Sequence, residues 1–80
     1  MRLADLMDKP AATRWGRWSL TDDGAALVIV DGTMPRYVPM DECKTNFMRW
    51  FWVRHYAAKG WIAPHDVADL VAALADLAER

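Results

Sequence analysis

Eighty residues that are 54% hydrophobic, with five Trp and only four Gly and four Pro, make one small folded domain rather than a disordered chain. A net charge of −1 argues against holding nucleic acid by broad phosphate neutralisation, and a lone cysteine, Cys43, excludes an internal disulfide and suits a reducing compartment. No window nears the roughly twenty apolar residues of a membrane span, and Asp5 and Asp8 stand where a signal peptide would need an apolar stretch. The expectation is a cytosolic protein.

In chain order, Leu3, Leu6 and Met7 recur at helical spacing and Pro10 ends the pattern, which predicts a short N-terminal helix over residues 3–9. Thr13 to Leu20 alternates loosely as a strand, with Trp15 and Trp18 on opposite faces and a bulge at Gly16. Asp22-Asp23-Gly24 is a turn signal, and Ala25 to Val30 is an uninterrupted apolar strand that calls for cover on both faces. Asp31-Gly32 is a second turn signal. Met34 to Val38 forms a third strand, placed at a sheet edge because Pro35 cannot donate to a ladder.

Two helices follow. The first is predicted from about Asp41 to Lys59, with Gly60 as a left-handed stop. Apolar residues nearly surround it, so it is either packed on several sides or left with exposed aromatic surface, and its charges from residue 44 onward are Lys44, Arg49, Arg54 and Lys59. The second runs from Pro64 to about Glu79. Val67, Leu70, Val71, Leu74, Leu77 and Ala78 share its apolar arc, and His65, Asp69, Asp76 and Glu79 lie opposite with Asp66 at the margin. The fold class is therefore α+β: a short N-terminal helix, a three-stranded antiparallel meander, and two C-terminal helices packed on the sheet.

Chemistry is sparse. Cys43 near a helix N-terminus would carry a lowered pKa, yet a free cysteine is more often a small buried core residue. His65 and Asp69 are four apart, a spacing that can serve a metal, but further ligands are lacking and a solvated helix face explains the pair better. Neither a phosphate loop nor a nucleophile elbow occurs. The chain reads as a non-enzymatic binding protein without metal or cofactor.

Three binding surfaces suggest themselves. Asp66, Asp69, Asp76 and Glu79, with Asp22, Asp23 and Asp31 at the turns, form a negative surface suited to a basic groove on a partner protein. Trp15, Arg17, Trp18 and Arg36 would instead make a stacking, cationic sheet surface for nucleic acid. Exposed aromatics between residues 47 and 56 would support a homodimer, which relieves the shortage of buried surface in so small a domain.

In its size, its acidic patches and its missing active-site motifs, the chain resembles the small standalone inhibitor proteins that phages encode, anti-CRISPR proteins among them. The resemblance implies a protein of the host-cell cytoplasm that occludes a basic, nucleic-acid-handling surface, such as that of a CRISPR effector complex, through its acidic face.

Overall fold

The structure is a computed structural model that describes residues 11–80. The helix expected over residues 3–9 lies outside the described residues. Four strands, β1 (Arg14–Trp15), β2 (Trp18–Leu20), β3 (Ala26–Asp31) and β4 (Met34–Pro39), form an antiparallel meander in the order β1-β2-β3-β4. A 3-10 turn (Met40–Glu42) then leads to α1 (Asn46–Ala57) and α2 (Pro64–Ala78). The α+β class is as the sequence indicates, with four strands in place of three.

The extra strand comes from Gly16. It sits at a φ of 59° and turns the chain within two residues, so that Trp15 pairs directly with Trp18. The two rings therefore share one face instead of opposing each other. Gly32, at a φ of 62°, does the same between Asp31 and Met34. In both hairpins glycine occupies the first central position, where a type II′ turn needs a left-handed residue. Asp31 thus ends a strand instead of forming the turn.

The two-residue turn makes Asp31 and Met34 a hydrogen-bonded pair. By alternation, Pro35, Tyr37 and Pro39 then aim their backbone groups outward from β4. Proline lacks an N–H, so two of these three positions offer no donor to an incoming strand. The Tyr56 hydroxyl donates to the Tyr37 carbonyl at 2.7 Å. Edge strand β4 is thereby blunted against pairing with another chain.

The helices cover one face of the sheet. Trp18, Leu27, Ile29 and Val38 are fully buried there against Val53 and Tyr56 of α1 and Leu70, Ala73 and Leu74 of α2. Trp18 meets Tyr56 edge to face at a centroid distance of 5.2 Å, and its indole N–H donates to the Asp66 carbonyl at 2.8 Å. Among the described residues the other face stays open, with Val30 and Tyr37 each half exposed. The two-sided cover expected for the central strand is not what these residues form.

Helix α1 starts later than the periodicity predicts. Thr45 is its N-cap, accepting from the Met48 N–H at 3.2 Å, while Asp41 and Glu42 belong to the preceding turn. Gly60 does not take up the left-handed conformation expected of it, since the positive-φ glycines are Gly16, Gly24 and Gly32. The helix ends with Ala58 and Lys59 N–H groups donating to Arg54 and Tyr56 carbonyls, so no left-handed residue is needed.

Candidate binding surface

The acidic arc of α2 is only partly an outer face, with Asp69 and Asp76 half buried and Glu79 exposed. Asp66, at the third position of α2, is completely buried. Its Oδ2 accepts from the Ala63 N–H at 3.1 Å, closing the start of the helix, and from Arg17 Nη1 at 3.1 Å. The same Arg17 donates through Nη2 to the Val30 carbonyl at 2.8 Å. Asp66 Oδ1 has no hydrogen-bond partner in the described structure; the exposed His65 ring approaches it at 3.5 Å.

One turn on, Asp69 lies against Gly16 so closely that a Cβ there would collide with its carboxylate. Asp76 accepts from the Trp15 indole N–H at 3.2 Å and pairs with Arg80 at 3.4 Å. Arg80 also covers the Trp15 ring at 5.7 Å and bonds the Ala12 carbonyl. Three of the acids expected to meet a partner therefore clamp the β1–β2 hairpin onto α2. Helical periodicity placed them opposite the core; the hairpin, invisible to that pattern, covers their flank.

The remaining acids are distributed. Asp22 and Glu79 are exposed, and Asp31 is half buried at the end of β3. Asp23 is exposed but engaged in its own turn, accepting from Thr21 Oγ1 at 2.7 Å and the Ala25 N–H at 3.0 Å; these bonds hold its pKa below the usual 3.8.

The suggested nucleic-acid residues are likewise committed to internal contacts. Trp18 is buried, Trp15 and Arg17 hold α2, and Arg36 stacks over Trp61 at 5.7 Å. Cys43 is buried just ahead of the α1 cap, and burial pushes its thiol up to about 11 despite the nearby Arg49, the reverse of the lowering expected at a helix N-terminus. His65 and Asp69 have no third ligand beside them: among the described residues no group of three or more His, Cys, Asp or Glu is placed to hold a metal. Nor is any helix among these residues long and apolar enough to cross a membrane.

What faces water is α1. Phe47, Trp50 and Phe51 are 82%, 59% and 57% exposed, and only Val53 and Tyr56 of this helix are buried. At about 150–250 Å² per aromatic side chain, these three rings leave roughly 400 Å² of apolar surface in water, as large as the biggest patches monomers usually tolerate. Arg54 lies on the same exposed stripe, and His55 stacks on Phe51 with ring centroids 6.4 Å apart. Beside Trp50 a mostly apolar groove of about 150 Å³ runs between α1 and α2, walled by Val53, Val71, Leu74 and Ala75, with Arg49 at its rim. The all-round apolar pattern of α1 signalled such a surface without saying which rings would form it. No family model, curated protein or solved structure matches the chain.

Proposed function

We propose that the protein is a non-enzymatic interaction module whose contact surface is the aromatic face of α1. The observation that carries this reading is the exposure of Phe47, Trp50 and Phe51 side by side on one helix, in a domain too small to leave such area unused. Large rings cost little entropy to immobilise and dominate binding energy where they are desolvated. The buried Cys43 thiol keeps its proton and is a poor nucleophile, which supports a binding role.

The inhibitory role implied by the resemblance to small phage-encoded proteins is compatible with this surface. Occlusion requires only that the α1 face cover a working site on its target. An electrostatic version run through the acids has less to draw on, because Asp66, Asp69 and Asp76 are engaged with the hairpin.

Affinity capture with the immobilised chain tests the reading. A polypeptide retained by the wild type and by an Asp22→Lys/Glu79→Lys variant, but lost with Phe47→Ser/Phe51→Ser, is the expected pattern. Loss with the acid variant alone would return the contact to the acidic residues.

A further inference from the structure

The exposed stripe of α1 is self-complementary, and we infer that its occupant is a second copy of this chain, packed α1 against α1 in antiparallel. This rests on the reading of α1 as the contact face. With a two-fold axis between Trp50 and Phe51, Phe47 of each copy meets Arg54 of the other, Trp50 meets Phe51, and Lys44 meets Ala57. A ring thus faces a guanidinium at both ends of the stripe, which is the cation–π geometry.

Charge selects this direction. Helix α1 contains Arg49 and Arg54 and no acid, so a parallel pair would set like charges side by side. In antiparallel each cation lies opposite an uncharged residue. The exposed Asp41 and Glu42 lie just ahead of α1 and the exposed Lys59 just after it, so an antiparallel pair brings the acidic end of each copy towards the basic end of the other. An isologous contact requires that kind of exchange, in which each position and its counterpart are satisfied twice.

Space and area agree. The groove beside Trp50, about 150 Å³ and open to solvent between α1 and α2, offers a mostly apolar recess at the margin of the stripe. Two aromatic faces with the flanking Val71 and the Arg54 stem bury roughly 1,000–1,200 Å² in total, at the low end for specific interfaces. A contact of this size suits a concentration-dependent dimer. Blunted β4 disfavours pairing at that edge of the sheet, and the other edge strand, β1, is only two residues long.

Sedimentation equilibrium of the full chain from about 5 to about 500 µM is the test, a range that brackets a micromolar constant. The mass should climb from 9.1 kDa towards twice that value. Phe47→Ser/Phe51→Ser should weaken association at least tenfold with an unchanged circular dichroism spectrum, since both rings are exposed. Glu42→Lys should weaken it too, and adding Lys59→Glu should restore it, which a merely structural role would not produce. A monomeric mass throughout, or a dimer indifferent to both phenylalanines, overturns the inference. If the monomer still captures another protein through Phe47 and Phe51, self-association fails while the contact face stands. If it instead binds a twenty-nucleotide single strand through those rings, both readings fail in favour of nucleic-acid stacking.

Discussion

Replacing Asp66 by Ala is the sharpest perturbation of the fold. The carboxylate is fully buried and ties together three segments: the Ala63 N–H at the start of α2, Arg17 in the β1–β2 turn, and through Arg17 the Val30 carbonyl. Removing an N-terminal capping acceptor costs about 1 kcal/mol. Breaking a buried ion pair from one side costs about 3–5 kcal/mol when the surviving charge stays buried, but the Arg17 side chain is 46% exposed and can rehydrate, so a share of about 1–2 kcal/mol is appropriate. The expected loss is about 2–3 kcal/mol, a large part of the roughly 5 kcal/mol that so small a core supplies. Urea unfolding followed by tryptophan fluorescence measures it. Arg17→Leu alone should cost at least as much, because it leaves the fully buried Asp66 carboxylate without its cation, and the double variant should be less destabilised than the sum of the two, because the partners share one interaction. A loss below about 0.5 kcal/mol for Asp66→Ala, within the range of ordinary surface substitutions, would refute the assignment of Asp66 as the hairpin clamp.

Other outcomes follow from the same geometry. Gly16→Ala should destabilise by about 2 kcal/mol or more in thermal unfolding, from backbone strain at positive φ and collision with Asp69; adding Asp69→Ala should recover the collision part and leave the strain. Tyr56→Phe should cost about 1 kcal/mol through the lost bond to the Tyr37 carbonyl. Cys43 should react with a thiol reagent at pH 8 orders of magnitude more slowly in the native protein than in urea, because its thiol keeps its proton up to about 11. The linked pH effect has a definite sign. The unfolded thiol ionises near 9.0 while the folded one does not, so stability is full below pH 9 and falls as pH rises towards 11; Cys43→Ala should flatten that slope in pH-dependent melts.

How far the sequence foretold this structure varies with the physics involved. Apolar runs and turn residues placed β3, β4 and α2 within a residue or so, and Pro35 pointed correctly to an edge. The β1–β2 hairpin escaped because Trp15-Gly16-Arg17-Trp18 reads equally as a bulged strand; only the pairing partner distinguishes a turn from a bulge. That single missed turn also misassigned α2's acids. Periodicity ranks residues by hydropathy and puts Asp69 and Asp76 outside and Asp66 at the margin, whereas Trp15 and Arg17 supply polar contacts that draw Asp66 fully inward and hold Asp76 half buried. The start of α1 was missed for a local reason, since Asp41 and Glu42 fold into a separate 3-10 turn and Thr45 caps the helix. The exposed aromatics were legible only as an excess: helix 44–59 held more apolar residues than one side could bury.

Hydroxyl-radical footprinting across a dilution series tests the central claim most directly, because it reads ring exposure residue by residue. At the lowest concentration Phe47, Trp50 and Phe51 should be heavily oxidised while Trp18 is spared, and at the highest these three should become protected together. Rings already protected in the dilute chain, or equally oxidised once it has associated, would contradict the assignment of α1 as the contact face.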